Sequence, residues 1–207
     1  MYAVHLTVKL RLDLTGRRHT DMTTWLPPEE QKRYDMKANK VIAKTKITEV
    51  FVEKKWIEDA TSKAQSLGVL KNSISKGKGN LIGFVGEYAV LSFIKDGHMS
   101  NTYDYDITTP TSTIDVKTKG CSSVPLDHYQ CSIAAYNTKQ KCSHYAFVRM
   151  FYDFEKCWVL GWIEKEKYFD EAKFLKQGEE DGDNGYIVKA DCYNLPIKKL
   201  NDIEFFS

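Results

Sequence analysis

Three carboxylates and one lysine carry the chemistry open to this sequence. In "STIDVKTKG", residues 112 to 120, strand alternation puts Asp115, Lys117 and Lys119 on one face and Ile114, Val116 and Thr118 on the other. A solvated strand face explains that pattern equally well, so its meaning rests on what surrounds it. Nine residues before Asp115 lies Asp106, in "YDYDI", which shares its strand face with Asp104. The intervening "TTPTST" turn folds the two segments into an antiparallel hairpin. Adjacent strands lie under about 5 Å apart, close enough for Asp106 and Asp115 to converge on one cation. Oxygen-rich ligation of this kind suits Mg²⁺ or Mn²⁺, which take one or two carboxylates together with water and substrate phosphate oxygens. The backbone carbonyl of Val116 is a further candidate ligand. Lys117 shares the face of Asp115, where its ammonium can hold an attacking hydroxide and offset charge building on phosphorus.

Glu87 is the third carboxylate. On a helix its neighbours three and four positions away are Gly83, Phe84, Val90 and Leu91, so it interrupts an apolar stripe. An unpaired buried carboxylate is costly, so either that stripe faces solvent or a cation meets Glu87, with Lys117 or a metal as the candidates. Gly83 and Gly86 flank it where alanine would favour the helix by about 1 kcal/mol each, which points to close backbone approach to a sheet.

The helix-borne glutamate of "GFVGEYAV", the aspartate of "YDYDI" and the acid-x-lysine strand "IDVKTK" together resemble the PD-(D/E)xK nuclease superfamily, which includes restriction endonucleases, phage exonucleases and archaeal-type junction resolvases. The resemblance covers about residues 80 to 163 and implies a restriction-endonuclease-like core with helices flanking a central mixed β-sheet. It assigns Glu87, Asp106, Asp115 and Lys117 to the catalytic positions, with Glu87, Asp106, Asp115 and the Val116 carbonyl as ligands of Mg²⁺ or Mn²⁺. Asp104 stays open as the alternative to Asp106. No proline precedes Asp106, and the last motif carries Asp where Glu is commoner. The resemblance also sets the polar helix "YNTKQKC" beside the site, making Tyr136, Asn137, Lys139 and Gln140 candidates for phosphate or base contacts. Lys119, two past Lys117, is a candidate phosphate contact.

The implied activity is metal-dependent hydrolysis of DNA phosphodiester bonds, endonucleolytic in the first reading. Related exonucleases often carry Gln-x-x-x-Tyr, whereas Gln140 is followed four residues on by His144, with Tyr145 one step too far. An exonuclease, a catalytically silent nucleic-acid-binding module and an acidic-tailed interaction protein are the alternatives. Small phage-encoded members share this plain layout, and the expected location is cytoplasmic, in the bacterial host cell if the protein is phage-encoded.

The elements that position these groups follow from periodicity. Residues 2 to 14 alternate as a strand without an obvious partner. "TEVFVEKKWIEDATSKAQSLG" reads as a helix capped by Thr48 and stopped by Gly68. "NLIGFVGEYAVLSFI" reads as a second, with Asn80 as its cap. Strands follow at "YQCSIAA", "HYAFVRMFYD" and "KCWVLGWI", and a helix from residue 164 through Phe174 and Leu175. The expected class is α/β of the α+β mixed-sheet kind, with an N-terminal extension over 1 to 79 and the core over 80 to 207.

The 207 residues carry a net charge of only +2, so any nucleic-acid binding must come from a local patch. Residues 32 to 79 supply one, with twelve Lys or Arg against five Asp or Glu. Lys76 and Lys78 in the glycine-bearing "SKGKGN" loop are candidate DNA contacts. The extension is expected to clamp duplex or to pair two protomers as a homodimer. Residues 164 to 191 are acidic, with nine Asp or Glu against five Lys. Five scattered cysteines without a CxxC pair suit free thiols and disfavour structural zinc. No segment approaches membrane-spanning length, and no membrane partner is expected.

Overall fold

Alternation at the start of the chain resolves into a hairpin, β1 (Lys9–Leu12) paired antiparallel with β2 (Arg18–Asp21), Lys9 opposite Asp21. The computed structural model describes residues 9–12, 18–21, 47–67, 78–100, 102–181 and 185–206. The rest of the expected 2 to 14 strand, and Lys76, lie outside them. The chain divides into two compact units, Met1–Lys44 and Thr45–Ser207.

That second unit opens with β3 (Thr48–Phe51) and α1 (Lys54–Leu67). Thr48 therefore begins a strand and does not cap the helix: "TEVF" pairs with a later strand, and the chain turns helical only at Lys54. Next come α2 (Lys78–Leu91), β4 (His98–Met99), β5 (Ile107–Thr108) and β6 (Thr113–Cys121). Asn80 lies inside α2, which starts two residues before the expected cap. β7 (Gln130–Ala134), a 3-10 turn (Ala135–Lys139), β8 (His144–Phe151) and β9 (Lys156–Glu164) match the remaining apolar runs. α3 (Lys165–Glu171) then stops short of the expected helix end. Phe174 and Leu175 belong instead to β10 (Lys173–Leu175), where Leu175 is buried and Phe174 exposed, the period of a strand. β11 (Glu180–Asp181), β12 (Tyr186–Ile187) and β13 (Cys192–Pro196) complete the order.

The fold is mixed α/β, of the α+β class. Six strands form one sheet in the order β3-β9-β8-β6-β5-β4, with β6 and β8 parallel and the other neighbours antiparallel. The parallel pair needs a crossover, which β7 and the 3-10 turn supply. Alternation along β8 serves two cores. Ala146, Val148 and Met150 join Ala60, Val85 and Ala89 of the helices on one face, while Tyr145 and Phe147 join Ile133, Tyr168 and Leu195 under the second sheet, β10-β13-β7, on the other. β9 carries one extra residue opposite Phe147 and Val148, and Gly161, at φ 130°, absorbs the kink. No described helix is long and apolar enough to cross a membrane.

Candidate active site

The site lies on an unfinished sheet edge. β5 pairs with only the first residues of β6, Ile107 opposite Ile114 and Thr108 opposite Thr113. Among the described residues no strand pairs with β6 on that side beyond Ile114, so the edge from Asp115 onward is open. Asp106, just before β5, fills its start: the Val116 N–H donates to Asp106 Oδ2 at 2.7 Å. An extended residue sends its N–H and C=O to the same side, so the Val116 carbonyl faces the edge that Asp106 occupies. Asp104 is committed elsewhere, accepting from the Lys141 N–H at 3.2 Å.

Asp115 is 3 % exposed and Lys117 sits against it, Nζ to Oδ2 at 2.5 Å. Despite that ion pair, Oδ2 accepts no aligned hydrogen bond. The other oxygen is held by Gln140, whose side-chain amide is the hub of the site. Its Nε2 donates to Asp115 Oδ1 at 3.0 Å and to the Tyr103 carbonyl at 2.9 Å, while its Oε1 accepts from Lys117 Nζ at 3.3 Å. Lys165 Nζ donates to the Gln140 carbonyl and ties the turn to the start of α3. Gln140 is thus buried and bonded inward, fixing both members of the ion pair. Asn137 and Lys139 lie in the 3-10 turn just before it, half-buried and exposed respectively, and Lys119 is exposed at the open end of β6. Lys78 is the first residue of α2.

Glu87 reaches the site from α2. That helix lies against β6 through Gly86, where an added Cβ would meet Thr118 Oγ1 at 2.0 Å, so a side chain there would drive the helix off the sheet. Gly83 does not share that role, since a Cβ there meets nothing within 4 Å. Glu87 is 5 % exposed, and its cation is Lys63 of α1, with Nζ 2.9 Å from Oε2 and 4.1 Å from the centre of the Phe84 ring. Burial pushes the Glu87 carboxyl up, Lys63 draws it down, and the Asp115 charge raises it further. Burial, then Asp115, then Glu87 hold the Asp106 carboxyl well above the usual range against the Val116 hydrogen bond. The three carboxylates therefore face only two lysines, Lys63 and Lys117, and Asp106 is the one without an ion-pair partner among the described residues.

Among the described residues no group of three His, Cys, Asp or Glu side chains is gathered to hold a metal ion. Mg²⁺ does not need three, because it takes one or two carboxylates and completes its shell with water and phosphate oxygens. Asp106 and Asp115 fit that requirement: both are carboxylates on one edge, and Asp115 Oδ2 accepts no aligned hydrogen bond beyond its ion pair with Lys117. No protein-family model matches the chain, and no curated protein matches it.

Proposed function

We propose that the chain is a metal-dependent deoxyribonuclease of the PD-(D/E)xK kind, built on a restriction-endonuclease-like core and cutting within DNA. What carries this reading is Asp115: a buried carboxylate on an open strand edge, with one oxygen fixed by Gln140 and the other in an ion pair with an ammonium two residues along the same strand. A Mg²⁺ or Mn²⁺ ion bound there supplies Lewis-acid polarisation of the phosphoryl group and a more acidic water. Asp106, Asp115 and the Val116 carbonyl would hold it, and Glu87 adds negative charge behind them. Lys117 positions the water and offsets charge growing on the phosphoryl oxygens. Gln140 keeps Asp115 and Lys117 oriented while those groups work. Lys119, Asn137, Lys139, Lys76 and Lys78 are the candidate contacts for DNA.

Closed circular DNA incubated with the protein in Mg²⁺, Mn²⁺ or EDTA tests the reading. Nicking or linearisation with either metal and none in EDTA is the expected result; intact circles under every condition would remove it. One observation favours a second reading, a catalytically silent DNA-binding module: Glu87 and Asp115 already have ammonium partners. That module would bind DNA with a steep salt dependence and cut nothing.

A further inference from the structure

Beside the candidate site runs a cleft of about 350 Å³ whose lining includes Lys117, Lys119, Ser132 and Arg149. Lys119 and Arg149 stand opposite each other on the parallel strands β6 and β8. Like charges set side by side on neighbouring strands destabilise a sheet. Here the arrangement is more costly than usual, because Arg149 is only 8 % exposed. Its Nη2 donates to the Gln130 carbonyl at 2.7 Å, a neutral partner. Among the described residues no carboxylate lies within ion-pairing distance of either cation. Lys119 Nζ has an aromatic neighbour, 5.5 Å from the Tyr186 ring centre. Asp181 of β11 acts on Lys119, but from beyond ion-pairing distance. Buried charges are ordinarily paired, and among the described residues this guanidinium, which lines an open cleft with a second cation beside it, has no carboxylate partner.

We propose that Lys119, Arg149 and Ser132 form a phosphate subsite, which holds the phosphate next to the one at Lys117 on a bound nucleic-acid strand. Ser132 lies on β7, so the second sheet contributes to the subsite as well as covering the core. Two residues along a strand span about 6.6 Å, so Lys117 and Lys119 are spaced to serve successive phosphates of an extended strand. The guanidinium presents several donors in a fixed fork and supplies the geometry that a phosphate group fills. The nucleic-acid source of the ligand rests on the nuclease reading; the phosphate chemistry of the cleft does not.

The test is made in EDTA, so that cleavage plays no part. Fluorescein-labelled single-stranded DNA is titrated by fluorescence anisotropy against wild type, Lys119→Gln, Arg149→Met and Arg149→Lys, across a salt series. Lys119→Gln and Arg149→Met should each weaken binding about tenfold and lower the salt slope by about one, alike for every sequence, with partial recovery in Arg149→Lys. Oligonucleotides with and without a 5′-phosphate distinguish the two sources. Equal weakening on both identifies an internal phosphate, and loss confined to the phosphorylated form identifies a terminal one. Inorganic phosphate gives a second readout, a rise in wild-type thermal midpoint that both neutral variants lack. If Arg149→Met fails to fold, Lys119→Gln at the exposed rim carries the comparison. Unchanged affinity, salt slope and phosphate response in Lys119→Gln and Arg149→Lys would overturn the subsite even in an active nuclease. A phosphate response lost in the variants of a protein that cuts no DNA would keep the subsite and remove the nuclease.

Discussion

Lys117 meets Asp115 from two positions along the same strand, whereas Lys63 meets Glu87 across 24 residues and from a different helix. Strand geometry alone brings the first pair together, and Gln140 then pins both of its members. The second pair exists only once α1 packs on α2, and the Lys63 ammonium also rests on the Phe84 ring. One pair therefore survives any rearrangement that keeps β6, while the other depends on how the helices sit. A catalytic group belongs on the rigid element.

Substitutions can break that contrast, and the largest effect is expected in the strand pair. Asp115→Ala and Lys117→Ala should each lower Mg²⁺-dependent cleavage by on the order of 10²-fold or more while leaving the circular dichroism spectrum of the fold intact. Lys63→Met should act on stability first. Removing one partner of a buried pair costs about 3 kcal/mol or more, so the thermal midpoint in EDTA should drop by several degrees. Adding Mg²⁺ should recover part of that drop if Glu87 turns to the metal once its lysine is gone. An equal drop with and without Mg²⁺ would show that Glu87 serves the helix pair alone.

Legibility in the sequence follows the same division. The Asp106 to Asp115 hairpin, the apolar core strands and the interrupted apolar stripe at Glu87 could all be read, because each is set by local period or by a turn, whereas the parallel pairing of β6 with β8 is set by neither. The cation for Glu87 was sought in Lys117 or a metal. Yet Lys63 lies on the helical stripe of Trp56 and Ala60, and an opposite charge in each of two apolar helix stripes is the signal that pairs them. It was masked by the eleven other basic residues between 32 and 79. Gln140 was legible as a polar residue of a turn, but its inward direction depends on Tyr103 and Asp115, which only the folded chain supplies. The strand at Thr48–Phe51 was lost to the helix behind it, since four residues of edge strand pair only with the distant β9.

Gln140 sharpens the comparison from the other side. Gln140→Ala leaves the Tyr103 carbonyl and Asp115 Oδ1 without their donor, a loss worth about 1–3 kcal/mol at the buried Asp115. It also removes an acceptor from Lys117. Cleavage should fall about 10-fold to 100-fold, less than for Lys117→Ala, because the charges remain and only their orientation is lost. Unfolding by urea and single-turnover cleavage, measured on the same preparation, separate the two effects. A loss of stability with full activity would make Gln140 a purely structural tie.

The smallest effect on stability is expected at Asp106, and it runs against the usual direction of a site mutation. Its carboxyl titrates well above the ordinary 3.8 because burial and the Asp115 and Glu87 charges oppose ionisation. Below that ordinary value the group is protonated in both folded and unfolded chains, and its contribution to stability is fully present. As pH rises through the folded-state value the unfolded chain has already released its proton, so the metal-free fold loses stability. Glu87, raised from 4.5, adds a slope of the same sign. Asp106→Asn keeps an acceptor for the Val116 N–H and removes one of the opposed charges. In EDTA it should flatten the fall in thermal midpoint between acid and neutral pH and raise the neutral value by a few degrees, about 2–4 °C for each kcal/mol. The same variant should lose Mg²⁺-dependent cleavage, since a neutral amide is a poor ligand for a hard cation. A variant that instead unfolds more easily at neutral pH would mean that the Asp106 charge stabilises the sheet edge and that the acidic cluster is not held in mutual repulsion.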